Sequence, residues 1–323
     1  MTLAGRRAIL AVALVCAGSG SSAQDAPSRT AASVDRVGEG LAARALSAGG
    51  ADALYVLGLL ATMDPAARAD AWARAWTLEP QRMLVLASLA EACAPRAAFT
   101  SPACAAHDPL SRWAARDGEN AAPWVLLAGR ARQRGDLPAM RANLAHASER
   151  SRFDGYRGRG AAAVARVIDS APEFAGLPEA PFVATALASS RPDAVVDEAN
   201  ALCRVGAPGV GPEVAPACRR LARTMAEHAD TTAARQAGLA LASGWAADAA
   251  ERGRLAAERD RLSASALDCH AAKSALLAKL EGTPADRDRA RELEAAAVAE
   301  LATMDETAVC SRLVAKSRVA GVR

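Results

Sequence analysis

Isoleucine and aromatic residues are scarce in this chain of 323 residues. Isoleucine occurs twice, and phenylalanine, tyrosine and tryptophan together make up 3% of the sequence. β-Strands are built largely from β-branched and aromatic side chains. Alanine occurs 87 times, and alanine, leucine, arginine and glutamate all favour helices. The composition argues against a β-sandwich, a β-barrel or a parallel α/β sheet and predicts an all-α fold.

Lysine is also rare, and the chain has no strong excess of charge. Only three of the 39 basic residues are lysine, which leaves 39 − 3 = 36 arginines. Residues 1–23 contain two arginines and no acid, so the remainder carries 37 − 36 = +1. Proteins that bind nucleic acids usually show a clear basic excess or a basic stripe. We therefore expect no nucleic-acid partner.

The chain has no apolar run long enough to span a bilayer, but its first residues are typical of a secretory signal. Arg6-Arg7 supply a positive region, residues 8–17 a short apolar stretch, and residues 21–23 the small side chains that precede a cleavage site. This pattern predicts cleavage after Ala23, a periplasmic or secreted location, and no stable transmembrane segment after cleavage.

Two alternatives for this N-terminal segment are an uncleaved membrane anchor and a lipid attached to Cys16. Lipoprotein signals place a small residue directly before the cysteine and an aliphatic residue three positions before it. Here these positions hold Val15 and Ala13, which fit poorly.

No CxxC motif is present, which argues against a zinc ribbon and a thioredoxin-type redox site. Without Cys16, an even number of cysteines remains, as is typical of disulfides in an exported chain. Two pairs are predicted from short loops between helices: Cys93 with Cys104, and Cys203 with Cys218 across the loop GAPGVGP (206–212).

The third predicted pair joins Cys269 to Cys310 in a terminal three-helix bundle. We expect helices over 263–281, 284–302 and 304–317, with Thr283 capping the second. A capping box over 303–306 should start the third helix and turn the chain back. Both cysteines then lie at the same level of the bundle.

Helical patterns fill the rest of the chain. Asp64-Pro65 and Asp108-Pro109 each combine an N-cap residue with proline at the first helical position. Further helices are expected over 161–169, 181–189, 192–204, 212–228, 231–242, 246–267 and 269–280. The predicted organisation is helical hairpins over 24–155, followed by a disulfide-containing α-helical region over 156–323.

Residues 121–152 resemble a tetratricopeptide repeat. The matching positions are Trp124, Leu127-Ala128, Ala131, Gly135-Asp136, Met140, Leu144 and Ala147. Arg152 stands where the motif has its closing proline. Less regular units are expected over 50–82, where Leu78-Glu79-Pro80 resembles the closing motif, and over 83–120. The resemblance implies a solenoid with a concave groove that binds a peptide or a partner protein, with Arg132 and Gln133 holding a carboxylate.

A second candidate site is a cluster of arginines and aromatic residues around the Gly-rich segment 155–160. Its members are Arg150, Arg152, Phe153, Tyr156, Arg157 and Arg159. Arginine beside an aromatic ring suits anionic ligands, and Arg157 and Arg159 are the candidate ligand-binding residues. The alternative is that the arginines complement a helix end while the aromatic rings enter the core.

Motifs of known enzyme classes are missing after residue 23: there is no GxSxG, HExxH, P-loop or SxxK, and the four histidines are scattered. No catalytic residue, metal site or cofactor is predicted. The expected function is that of an exported cell-envelope scaffold or protein- or peptide-binding module without catalytic activity. Alternatives are a cell-wall or carbohydrate-active hydrolase that uses scattered carboxylates, and a purely structural secreted protein.

The signal pattern generates the first testable prediction. We expect the exported protein to begin at Gln24-Asp25, because the small residues of 21–23 mark the cleavage site. N-terminal sequencing of the exported protein checks this. A mature chain that keeps Cys16 with a lipid attached would show that the prediction is wrong.

Overall fold

The computed structural model describes residues 37, 40–47, 49–61, 64–94, 101–174, 177–191, 193–206 and 211–321, and the predicted signal segment lies outside them. Within these ranges the regular elements are helices, and β-pairing is limited to isolated bridges, Asn120 with Arg152 and Phe153 with Ala229. The predicted all-α fold class is confirmed. The tetratricopeptide resemblance stays a prediction.

A helical segment over 40–47 precedes the helices that we label in chain order. They are α1 (Ala51–Leu60), α2 (Pro65–Leu78), α3 (Met83–Ala92), α4 (Pro102–His107), α5 (Pro109–Arg116), α6 (Ala122–Gln133), α7 (Leu137–Ser148), α8 (Arg157–Asp169), α9 (Ala180–Ser189), α10 (Ala194–Cys203), α11 (Ala215–His228), α12 (Thr232–Gly244), α13 (Ala249–Lys279), α14 (Pro284–Glu300) and α15 (Glu306–Val319).

Several helix starts follow the predicted cap chemistry. The Asp64 side chain accepts the N–H of Ala67, with Pro65 at the first position of α2. At α14, Thr283 and Asp286 form a reciprocal capping box, with Pro284 at the first helical position. These side chains satisfy amide groups that have no partner inside the helix, and proline needs none there.

Asp108 does not cap α5 as predicted. The helix begins at Pro109, but Asp108 also ends α4 and has a left-handed backbone, with φ 36° and ψ 60°, and no side-chain cap bond. An N-cap residue needs an extended backbone to direct its carboxylate at the helix amides. The Asp108 carboxylate instead pairs with Arg130 at 2.9 Å.

The predicted helices over 246–267 and 269–280 form one helix, α13, of 31 residues, and α13 also contains most of the helix over 263–281 that was expected to open the bundle. The prediction of a break was wrong because the sequence around position 268 contains neither glycine nor proline. The predicted break near position 303 is confirmed, since α14 ends at Glu300 and α15 begins at Glu306.

The cap of α15 is Asp305 and not Thr303. The Asp305 side chain accepts the N–H of Ala308 at 3.0 Å, and its backbone is extended, with φ −69° and ψ 153°. The Thr303 hydroxyl donates to the carbonyl of Glu300 at 3.4 Å, within the turn that closes α14. The third helix of the bundle therefore starts two residues later than expected.

All three predicted disulfides are confirmed. The Cα atoms are 5.5 Å apart in Cys93–Cys104, 5.3 Å in Cys203–Cys218 and 5.3 Å in Cys269–Cys310. The last bond joins α13 to α15 and closes the terminal three-helix bundle.

Helices α1, α2, α3, α5, α6 and α7 form a row in which each packs against the next, and α11, α12 and α13 extend it. Trp72, Trp113, Leu126 and Leu144 are fully buried in this row. The main core extends from Val37 to Leu241 and crosses position 155 without interruption. A smaller core joins α8 and α9 to the terminal bundle.

Helices α8, α9 and α10 form a second layer over this row. Helix α8 packs against α1, and α10 packs against α6. The approach is close at Gly129 of α6, where an added Cβ would lie 2.4 Å from the carboxyl carbon of Glu198 on α10. A side chain at position 129 would force the Glu198 carboxylate to move. The face of α6 that the repeat resemblance assigns to a groove is therefore covered by the chain itself.

Arg191, between α9 and α10, attaches the second layer to the row. Its guanidinium donates to Ser88 at 2.7 Å, to Glu91 at 2.9 Å and to the carbonyl of Gly155. The side chains of Arg191 and Glu91 are 1% and 3% exposed. Burial raises the pKa of Glu91 to about 7, although Arg191 opposes the shift.

This buried pair generates the second prediction. Arg191→Leu should lower the free energy of unfolding by about 3–5 kcal/mol, because it leaves the Glu91 carboxylate buried without its cation. Urea denaturation measures the change. The double variant Glu91→Leu/Arg191→Leu should recover part of the loss, since no buried charge then remains. A single variant as stable as the wild type would contradict the assigned role.

Candidate ligand-binding site

The predicted cluster of arginines and aromatic residues lies at a cavity of about 370 Å³. The walls come from the segment 151–159, from residues 227–230 at the end of α11, from Arg235 of α12 and from the α14–α15 connection over 301–305. We call it the Tyr156 cavity. Its volume falls in the range typical of small-molecule sites.

Tyr156 has an unusual backbone for a bulky residue, with φ 60° and ψ 24° in the left-handed region. Such a conformation costs on the order of 1–3 kcal/mol and persists where the surroundings enforce it. Here the Tyr156 N–H donates to Asp154 at 2.6 Å, and the phenol donates to Asp117 at 2.7 Å. Burial raises the pKa of the phenol, and the bond to Asp117 raises it further, so the phenol stays protonated.

The buried Asp117 carboxylate organises this wall. It accepts hydrogen bonds from the indole of Trp113 at 3.2 Å, from Asn120 at 2.8 Å and from the phenol of Tyr156. Arg152 pairs with both Asp117 and Asp154. These bonds fix the ring of Tyr156 in one orientation.

The ring of Tyr156 carries two guanidinium groups. The central guanidinium carbon of Arg159 lies 4.5 Å from the ring centroid, and that of Arg152 lies 5.9 Å away. Arg152 is held by its two carboxylates. Arg159 is exposed at the cavity and forms no ion pair with any residue in the described ranges. Its hydrogen-bond donors are therefore available to a ligand.

Two carboxyl groups from distant parts of the chain meet at the cavity. Asp154 and Asp230 are in hydrogen-bonding contact, and Asp230 also accepts the N–H groups of Gly155 and Arg157, the latter at 3.2 Å. Burial and the neighbouring Asp154 raise the pKa of Asp230 to about 8. The pair therefore holds a proton at neutral pH.

The four candidate residues from the sequence lie in different places. Arg159 faces the Tyr156 cavity. Arg157 pairs with Asp193 at 3.3 Å, donates to the carbonyl of Arg191 at 2.6 Å and lines a separate cavity of about 220 Å³. Arg132 pairs with Glu198 at 2.9 Å and donates to the carbonyl of Ala201 at 3.2 Å. Gln133 is exposed at the end of α6.

The pairing of Arg132 shows how its predicted role conflicts with its surroundings. The Glu198 side chain is 2% exposed and approaches α6 where Gly129 leaves room. An arginine held by a buried carboxylate of its own chain is a poor anchor for a ligand carboxylate, because binding would leave Glu198 buried without its cation.

Sequence reasoning missed Asp117, Asp154 and Asp230. Asp154 and Asp230 are separated by 76 positions, so no local pattern joins them. The one available signal was Asp154-Gly155 beside the arginines, which indicates a turn and not an acid pair.

Two further properties of the described ranges bear on function. No group of three or more His, Cys, Asp or Glu side chains there could hold a metal ion. No helix there is long and apolar enough to cross a bilayer.

No protein-family model, curated protein or solved structure matches the chain.

The acid pair generates the third prediction. Asp230 has an ordinary pKa of 3.8, so the unfolded chain loses this proton near there while the folded chain keeps it to about 8. Stability therefore falls as pH rises between these values. Asp230→Asn keeps an acceptor for the two amides and a donor for Asp154. It should raise the free energy of unfolding by on the order of 2 kcal/mol at alkaline pH, and the gain should vanish towards pH 4.

Urea denaturation at about pH 4, 6 and 8.5 measures the difference between variant and wild type. Asp260→Asn, at an exposed position of α13, is the matched control and should show no such trend. A gain that stays the same at every pH would contradict the raised pKa of Asp230.

Proposed function

We propose that this protein is an exported cell-envelope module that binds a peptide or a partner protein at the Tyr156 cavity and has no catalytic activity. One observation carries the proposal. Arg159 is held over the ring of Tyr156 at a cavity of about 370 Å³ and has no ion pair in the described ranges. Arginine stacked on an aromatic ring is preorganised for a carboxylate or another planar anion.

The proposal moves the binding site away from the α6 face. The tetratricopeptide-like groove that the sequence suggested would need Arg132 and the surface around Gly129. Arg132 is paired with Glu198, and α10 covers this surface. The Tyr156 cavity, in contrast, is open and lies where the predicted cluster of arginines and aromatic residues meets α11 and α14.

Export is supported by the cysteines together with the N-terminal pattern. Cystines persist mainly in oxidising compartments such as the periplasm and the extracellular space. The three disulfide bonds use all six cysteines that follow the predicted signal segment. The segment 1–23 has the charge, apolar stretch and small residues of a secretory signal.

A hydrolase is the second candidate, because two carboxyl groups, Asp154 and Asp230, line the cavity, although their spacing argues against it. Glycoside hydrolases separate their two carboxyl groups by about 5–5.5 Å or by about 6.5–9.5 Å. Two carboxyl groups in hydrogen-bonding contact do not fit either spacing. Both carboxyls also accept backbone amides, which gives them a role in the start of α8. Release of fragments from cell-wall material by the wild type, abolished in Asp154→Asn, would favour the hydrolase.

The fourth prediction tests the binding function with N-acetyl-dialanine, a blocked dipeptide that carries one carboxylate. We expect binding to the wild-type protein and a loss of about 10- to 100-fold in affinity in Arg159→Ala, the effect of a charge-assisted hydrogen bond. Isothermal titration calorimetry measures the affinity. Arg254→Ala, at an exposed position of α13, is the matched control and should bind like the wild type.

Lysine at position 159 tests the positive charge separately from the planar guanidinium group. Arg159→Lys keeps the charge but loses the planar group that stacks on Tyr156 and bonds a carboxylate in two places. We expect intermediate affinity. Equal binding by the wild type and Arg159→Ala would contradict the proposal.

A further inference from the structure

A basic and an acidic side chain of the Tyr156 cavity, Arg159 and Asp230, lack an ion pair within the described ranges. Arg152 is engaged with Asp117 and Asp154, and Arg235 with Asp305 at 3.5 Å. The exposed Glu227 lies 3.7 Å from the His228 ring, a contact that is an ion pair only when His228 carries a proton. The guanidinium of Arg159 and the acid pair of Asp154 and Asp230 therefore line the same space.

The Asp230 side of the cavity has an excess of carboxyl groups. Among the described residues Asp154 has one cationic partner, Arg152, which it shares with the buried Asp117. In the same ranges no arginine or lysine lies within ion-pair distance of Asp230, which contacts Asp154 and accepts the amides of Gly155 and Arg157. A cationic group of a ligand could take the place of the proton that the two carboxyl groups share.

The Arg159 side of the cavity offers hydrogen-bond donors and a positive charge for an anionic group. Its guanidinium is held against the ring of Tyr156, and no ion pair joins it to Asp230 across the cavity. An anionic group of a ligand would find unused donors there. Because one cavity contains both positions, a single small ligand can satisfy them together.

We infer that the Tyr156 cavity binds a zwitterion, with an ammonium group at Asp154 and Asp230 and a carboxylate at Arg159. A short peptide with both termini free has this chemistry. The inference rests on the proposed function and specifies the class of its ligand. It adds a requirement for a free amino group that the anion site alone does not impose.

Binding of the ammonium group should release a proton from the Asp154–Asp230 pair. In the free protein the Asp154–Asp230 pair holds a proton at neutral pH, and the arriving ligand ammonium replaces it. The carboxylic acid of Asp230 becomes a carboxylate paired with the ligand, and the proton goes to solvent. Binding of a ligand with a free amino group should therefore release about one proton at about pH 6.5.

Other titratable or charged groups face Asp230 from the elements around it. They are Arg152, Asp154, Arg157 and Arg159 of the segment before α8 and its first turn, Arg191 before α10, Glu227 and His228 of α11, Arg235 of α12, and Asp305 and Glu306 at the start of α15. Histidine side chains in general can exchange a proton between pH 5 and 8. His228→Gln is therefore the control, and it should release as much proton as the wild type.

The fifth prediction compares dialanine, N-acetyl-dialanine and dialanine amide on the full-length disulfide-bonded protein. We expect dialanine to bind about 10- to 100-fold more tightly than either blocked form. Calorimetry gives the affinities, and a pH-stat titration in unbuffered sodium chloride gives the protons released. Dialanine should release about one proton at about pH 6.5, and N-acetyl-dialanine should release none.

Asp230→Asn tests the acid pair directly. It should lose the preference for dialanine and the proton release, yet still bind N-acetyl-dialanine through Arg159. Retained binding of the blocked peptide also verifies that the variant is folded. Equal affinity of the wild type for dialanine and N-acetyl-dialanine would overturn the zwitterion inference and leave the anion site intact. Binding of none of the three peptides would overturn the proposed function as well.

Discussion

The arrangement of the two helix layers depends on the buried guanidinium of Arg191. It reaches Ser88 and Glu91 on α3 and the carbonyl of Gly155, and so joins three segments that are distant in sequence. A buried cation is unfavourable unless it is paired, and Glu91 provides the pairing, whereas the Nε–H of Arg191 has no hydrogen-bond partner in the described ranges. When Arg191 is in place, α10 lies over α6 and the segment 151–156 is held against α3. These contacts hold the segment that forms one wall of the Tyr156 cavity, and the other walls come from α11, α12 and the α14–α15 connection.

The second layer changes what the hairpin row can bind. In an open row of helical hairpins, one helix of each hairpin would present side chains to a ligand. Here α10 occupies that place along α6, and the buried Glu198 takes the donors of Arg132. Packing against the second layer therefore replaces an open surface along α6. Arg159 and Asp230 line the cavity between the segment 151–159 and the α14–α15 connection, and the candidate site is placed there.

Local chemistry made much of this fold predictable from the sequence. Helix starts such as Pro65 and Pro284 and the disulfide Cys93–Cys104 depend on residues close together in the chain. Cys269–Cys310 could also be predicted, because the helix lengths place both cysteines at the same height in the bundle. Half of the candidate site could be predicted, since Tyr156 and Arg159 are neighbours in sequence. The contacts of Glu198 with Gly129 and of Asp154 with Asp230 could not, because tertiary packing alone brings them together.

The terminal bundle is attached to the main body at Asp230, whose side chain lines the cavity. The N–H of Glu306 donates to the carbonyl of Asp230 at 3.0 Å, and the Glu306 carboxylate accepts the N–H of Thr232 at 2.8 Å. Asp230 thus joins α8, through the amide of Arg157, to the first turn of α15. Cys310 lies in the same helix and ties it to α13. The backbone of Asp230 is therefore held by α15 and its side chain by α8. The proposed exchange of a proton for a ligand cation would require a carboxyl group placed in this way.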